Sequence, residues 1–203
     1  MRARAYDTHE TTEAMVVDGK RIFREILEVV IPAIILFLVI RAFLFEARYV
    51  PSPSMHPTIM VWDRFLVEKV TYRFRQPERG EIVVFRPPAH VLEMIKEMSV
   101  PNTPLKTQDF IKRIIGLPGE TVRIREGTVY IDGRPLVEDY ISPDRQPLYE
   151  YGPVQIPEGH YLMLGDNRNH SWDGHNWGFV PRKNIIGRAI WRFWPLNRIG
   201  TIR

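Results

Sequence analysis

The run VVIPAIILFLVI, Val29 to Ile40, holds twelve residues without a charge and narrows the possible folds more than any other feature of the chain. Twelve apolar positions alone fit a signal-peptide core or a buried helix. Taken from Ile26 to Phe45 the segment has twenty positions, about 30 Å as a helix. Glu28 and Arg41 then lie near enough to its ends to reach out of an apolar layer. Pro32 falls in the first two turns, where a kink is tolerable in a bilayer. A cleaved signal peptide is disfavoured by the long polar lead-in and by the lack of a small-x-small site after Ile40. A buried soluble helix is disfavoured by apolarity on every face. The remaining reading is an uncleaved membrane anchor over 26–45. Arg2, Arg4, Lys20, Arg21 and Arg24 precede it, and only Arg41 and Arg48 follow closely. The excess of positive charge predicts a cytoplasmic tail over 1–25 and a single pass, with everything after Phe45 across the membrane.

The other 158 residues, 46–203, suffice for one substantial domain. The net charge of +4 is spread along the chain without a dense Lys/Arg block, so no nucleic-acid partner is expected. The absence of cysteine removes disulfides, thiol catalysis and cysteine metal sites. Short runs rich in Val, Ile, Phe and Tyr, broken by Gly and Pro, predict strands at 64–70, 81–87, 110–116, 121–133, 160–166 and 185–194. In TVRIR-EG-TVYI, alternating apolar residues flank Glu126-Gly127, a hairpin pattern. Strands and helices do not alternate, which excludes a parallel α/β sheet. The predicted fold class is mostly β, an antiparallel domain behind a single N-terminal transmembrane helix. Two excursions interrupt it: 88–108, with Val91, Ile95 and Met98 at helical spacing, and the Pro- and Tyr-bearing 137–158.

Three stretches could carry chemistry. In PSPSMHP, Pro51 and Pro53 stiffen the frame and confine Ser52 to extended conformations. That suits a presented Ser54 hydroxyl, and it equally suits a plain turn. In FIKRIIGLPGE, strand alternation puts Lys112 on the face of Phe110 and Ile114 and sends Arg113 the other way. A free lysine is only about 0.04% neutral at pH 7. Desolvation that lowered its pKa by about 3 units, worth about 4 kcal/mol, would make it a usable base. A lysine at a sheet edge with its head in water fits the same pattern. GDNRNHSWDGHNWGFVP, 165–181, contains His170, Asp173 and His175. An elaborate polar loop, a Ser54–histidine–Asp173 triad and a two-histidine metal site all fit its composition, though no recognised ligand spacing is present.

PSPSMHPT, FIKRIIGLPGE and GDNRNHSWDGHNWGFVP, in that order behind an anchor, resemble the bacterial type I signal peptidases, with the likeness running from about Arg41 to Trp194. The resemblance implies a Ser-Lys dyad serine endopeptidase that cuts signal peptides from exported precursors through an acyl-enzyme. Ser54 would be the nucleophile and Lys112 the general base; Arg113, which stays protonated, could not serve. The Ser52 hydroxyl and the Ser54 N–H would form the oxyanion hole. Ser171 would hold Lys112 through a hydrogen bond, and Asp173 would support that loop. Small substrate residues at −1 and −3 would meet Val50, Pro51, Met55, Ile59 and Phe65, with Asp109, Phe110 and Ile111 as an edge strand for the peptide. The implied partners are signal-peptide-bearing precursors and a lipid bilayer, in a plasma or thylakoid-type membrane, with no cofactor and no metal. Pro53, Asn169 and His175 depart from the family's common glycine, aspartate and arginine. The second domain should be reduced, because Lys112 and Gly165 are close in sequence. A self-cleaving repressor with a Ser-Lys dyad would need a DNA-binding region, and a membrane-tethered binding module would leave the three motifs unexplained. WRFWP, 191–195, fits either an interfacial segment or a packed terminal strand.

Overall fold

A computed structural model describes residues 19–98 and 109–203, with side chains from Phe23 onward except Ala42. The expected tail over 1–25 therefore lies largely outside the described residues, as does 99–108 of the first excursion. The chain divides after Ala42 into two compact units.

The first unit is the helix α1, Gly19–Phe43. Its apolar side chains are exposed around the whole circumference, Val29, Ile31, Ile35, Leu36 and Phe37 among them. Among the described residues no helix is long and apolar enough to cross a membrane. The expected bounds of 26–45 also shift. The helix starts earlier and stops at Phe43, because Phe45 already belongs to a strand.

The second unit is mostly β, and its strand pairings are antiparallel. Its main sheet contains β1 (Phe45–Tyr49), β2 (Arg64–Glu68), β3 (Ile82–Phe85), β4 (Phe110–Gly116), β9 (His160–Leu164), β10 (Val180–Pro181), β11 (Ile185–Trp194) and β12 (Gly200–Thr201). The order is β1-β2-β11-β3-β4-β9-β10, with β12 on β11. A smaller sheet, β7-β6-β5-β8, is built from β5 (Thr121–Arg125), β6 (Thr128–Ile131), β7 (Arg134–Pro135) and β8 (Tyr151–Gln155). The hairpin of β5 and β6 turns at Glu126 and Gly127, both at positive φ (49° and 77°). That is the geometry of a two-residue turn matched to strand twist.

Apolar alternation decides where each strand buries. In β4 every residue after Phe110 is buried, since both faces are covered. Ile114 joins a core with Phe85, Met163 and Trp177, Ile111 a second with Met55, Ile59 and Phe65, and Ile115 a third under the small sheet. The first excursion carries α2, Ala89–Met98, which packs Val91, Met94 and Ile95 onto the core. Met98, expected on that face, is exposed in the last turn. The second excursion ends not as a loop but as β8, which among the described residues pairs with β5 alone, so that Pro153 removes no needed donor.

Candidate active site

The connection between β1 and β2 carries both serines. Its neck is closed by Val50 N–H donating to Asp63 O (3.2 Å) and Trp62 N–H to Val50 O (2.8 Å). The buried Asp63 carboxylate accepts from Met60 N–H (2.9 Å) and pairs with Arg192 and Arg198. Pro53 opens a short 3-10 turn, Pro53–Met55, and Ser52 before it is extended (φ −125°, ψ 154°), as the residue preceding a proline should be. Met55, fully buried, pins the turn to the core. From behind, Asn167 donates its backbone N–H to Ser54 O and its side-chain amide to Pro53 O, both at 3.1 Å.

Lys112 enters from β4, opposite Val83 of β3. As the alternation predicts, its chain runs over Phe110, with Nζ 5.9 Å from the ring centre. Nζ donates to Ser54 Oγ at 2.8 Å and to Ile111 O at 3.0 Å. Lys112 is 5% exposed and Ser54 7%. Burial pulls the Lys112 pKa down to about 8, while the charges of Asp173 and Asp166 hold it up. Ser52 Oγ is 3.3 Å from Ser54 Oγ. Among the described residues, the groups hydrogen bonded to Ser54 Oγ are these two, and neither is a histidine.

The segment after β9 supports this pair. Gly165 donates its N–H to Asp173 Oδ2 (2.8 Å). A Cβ at Gly165 would lie inside contact distance of Ser54 O and Ser171 Oγ, so the approach requires glycine. Asp173 is fully buried and caps the short helix α3, Gly174–Trp177, in a reciprocal box with Asn176. Its Oδ1 meets His175 Nδ1 at 2.8 Å.

Two expectations need correction. Ser171 Oγ is buried beside Gly165 but has no hydrogen-bond partner, so the expected bond to Lys112 is not made. The amine already bonds Ser54 Oγ and the Ile111 carbonyl. Of the residues assigned to substrate, Val50, Met55, Ile59 and Phe65 are 0–1% exposed and sit in the core beneath the serine turn. They form its floor, not an accessible lining, and only Pro51 is exposed. Asp109 precedes β4 and pairs with Arg48 (2.8 Å). Phe110 and Ile111 are paired to β3 on one side, whereas β9 pairs with β4 only from Arg113 onward. That leaves the opposite side of Phe110–Lys112 without a strand among the described residues.

Sequence reasoning missed several supports. Arg113, set aside as unable to be the base, is 2% exposed and lies bidentate on Asp166 (2.8 and 2.7 Å). Arg168, also buried, bonds Glu138. The polar run GDNRN held Asp166, Asn167 and Arg168 in view, but nothing local names their distant partners.

The model of the signal peptidase family S26 matches residues 23–194. The chain belongs to that family. A signal peptidase I of Leptolyngbya laminosa is 51% identical over 84% of this chain and 79% of its own length. A probable signal peptidase I of Synechocystis is 50% identical over 88% and 76%. The Arabidopsis thaliana thylakoidal processing peptidase 1 is 38% identical over 82% of this chain and 47% of its own. The enzyme is accordingly a serine endopeptidase acting on signal-peptide-bearing precursors.

Proposed function

We propose that this enzyme works through a Ser54–Lys112 dyad, tethered to a membrane by the stretch of α1 from Ile26 to Phe43, and releases mature proteins by cutting after small residues at −1 and −3. The observation that carries the reading is the 2.8 Å contact between a buried amine and a buried hydroxyl. Neutral Lys112 Nζ takes the Ser54 proton as Oγ attacks the scissile carbonyl carbon. The oxygen that becomes negative is held by the Ser54 N–H and by the Ser52 hydroxyl, which turns from its 3.3 Å contact with Ser54 Oγ; each such donor contributes about 3 kcal/mol. Protonated Lys112 gives its proton to the leaving amine, and the acyl-enzyme forms. Neutral Lys112 then draws a proton from water, whose oxygen attacks the ester carbonyl, and Lys112 returns that proton to Ser54 Oγ as the ester C–O bond breaks and the cleaved signal peptide leaves as its acid.

The unpaired side of Phe110–Lys112 supports an extended substrate adding as a strand, which would bring its carbonyl to Ser54. The preference for small residues at −1 and −3 rests on membership of the family, since the core residues beneath the serine turn are not accessible. Membrane association is supported by the apolar girdle of α1 and by a groove in the β unit lined by Tyr49, Trp62, Phe193 and Trp194 with Arg48 and Arg64, residue types that suit a bilayer interface. The plasma or the thylakoid membrane would be the site, with the β unit outside the cytoplasm.

Detergent-solubilised protein is incubated with a labelled precursor. Wild type yields mature product; Ser54→Ala, Lys112→Ala and Lys112→Arg lose about three orders of magnitude in rate, because arginine keeps its proton. Wild-type cleavage by Lys112→Arg would remove lysine from the mechanism.

A further inference from the structure

Resting on the dyad reading above, we propose that the groove between the 146–149 stretch and the segment after β9 binds the first residues of the precursor beyond the cleavage site and favours an apolar side chain there. β4 decides which part of a substrate can reach it. The β4 edge is free for an added strand only along Phe110–Lys112, because from Arg113 onward it is taken by β9, with Arg113 opposite Leu164. The scissile carbonyl lies at the far end of this free stretch, where Lys112 Nζ meets Ser54 Oγ at 2.8 Å. Residues before the cleavage site therefore run beside Phe110–Lys112, and the leaving part must turn off the sheet where β9 ends. The chain that follows β9 lies there. Asn167 bonds Ser54 O and Pro53 O. Ser171 Oγ and Ser54 O are 2.2 and 2.4 Å from the one point where a Gly165 Cβ would stand, which makes them neighbours.

The groove opens from Ser171. Its volume is about 560 Å³, and it is walled by Tyr149, Ser171, Trp172 and His175, with Leu148 at its rim. Trp172 sets its ring edge against Phe110, 6.3 Å between centroids, and so joins the groove to the free stretch of β4. Tyr149 lies flat on the His175 ring at 3.9 Å, and the two make one aromatic wall. Among the described residues lining the groove, Arg168 alone carries a permanent charge, and it is buried and paired with Glu138. A charged substrate side chain would lose water there without gaining a partner. Leu148 is 90% exposed, yet its place is fixed. Asn169 Oδ1 accepts from the Leu148 N–H (2.8 Å), and the Asn169 amide donates to Gln146 O (2.9 Å). An aspartate at 169 could accept the first bond but not give the second. Asn169 thus clips 146–148 to the segment after β9 and holds a leucine at the rim, where an apolar residue seated beside it would take both out of water.

The test uses the full chain in detergent with labelled precursor peptides that are identical up to the cleavage site and carry leucine or aspartate singly at +1, +2 or +3. At one of these positions wild type shows a kcat/KM about tenfold higher for leucine than for aspartate. Leu148→Asp, a change at an exposed side chain, brings that ratio to about twofold or below. Asn169→Asp, which keeps one bond of the clip and loses the other, lowers it as well. A ratio taken within one enzyme does not depend on how much of a variant is folded. Equal cleavage of the leucine and aspartate peptides by wild type at all of +1, +2 and +3, or a ratio unchanged in either variant, overturns the proposal. Ser54→Ala and Lys112→Ala on the leucine peptide separate the two readings: their inactivity upholds the dyad whatever the ratios show, and cleavage by either removes the dyad.

Discussion

At the scale of single residues, the dominant energetic fact is a lysine kept where water is scarce. Its pKa is about 8, against an ordinary value of 10.5. The sign follows from linkage. Between these two values the unfolded chain binds a proton at this position that the folded chain does not, so stability rises with pH across that window. Below about pH 8 both states carry the charge, and the folded state bears its full desolvation cost, about 3 kcal/mol at 1.36 kcal/mol per unit. Lys112→Met, apolar and of similar length, should therefore be more stable than wild type at pH 7, and its advantage should shrink by about 2 kcal/mol on going to pH 10. Urea unfolding of both proteins across that range checks this, and an advantage that stays constant with pH would mean the amine is already solvated. The alternation of FIKRIIG put Phe110 and Ile114 beside Lys112 on one face but fitted a solvated sheet-edge amine equally well; the cover on both faces of β4 decides for burial. The same alternation sent Arg113 to the other face but could not show it buried: its partner Asp166 is 53 positions away, and only the pairing of β4 with β9 brings them together.

Among the elements, two connections and one strand make the site. The β1–β2 connection supplies the hydroxyl, β4 the amine, and the segment between β9 and α3 a backing that touches both. The closeness of that backing is set at Gly165. Gly165→Ala places a methyl group against Ser54 O, which is backbone and cannot swing aside, and against Ser171 Oγ, which can. The backing must then retreat, at a cost of about 1–3 kcal/mol in stability and at least tenfold in kcat. Adding Ser171→Ala removes the movable obstacle only, so the double variant should recover little; thermal melts and precursor kinetics on the three proteins measure both effects. Regular elements were legible to different degrees. Strands with β-branched alternation and clear punctuation, such as β5 and β6, were evident with their turn. β1 was not, because FLFEARY continues the apolar run of α1 and the ladder to β2 supplies the evidence for a strand. β8 hid behind its Gly-Pro pair, which reads as a loop but is tolerated on an edge. The floor residues were assigned to substrate because an apolar residue near a catalytic motif has the same sequence signature whether it lines a pocket or supports one.

For the molecule as a whole, the proposed action on membrane-borne precursors requires that the β unit present a surface to lipid. WRFWP fitted either an interfacial segment or a packed terminal strand; its first four residues close β11, and the fold adds residues the sequence kept apart. Trp62, 67% exposed, stacks on Tyr49 at 5.7 Å, and both line one groove with Phe193 and Trp194. Aromatic rings beside arginines suit the headgroup region, where one end of the ring is dry and the other wet. Burying one such side chain is worth about 1.5–3 kcal/mol, or roughly tenfold or more in apparent affinity. The expected outcome is specific to the presentation of substrate. Trp62→Ala combined with Trp194→Ala should lower processing of a precursor embedded in vesicles by at least tenfold, while cleavage of a short soluble peptide in detergent stays near wild type. Brominated lipids should quench tryptophan emission in the wild-type protein and less in the double variant. Equal losses on both substrates would place these rings in the fold or the substrate groove instead of at a lipid surface.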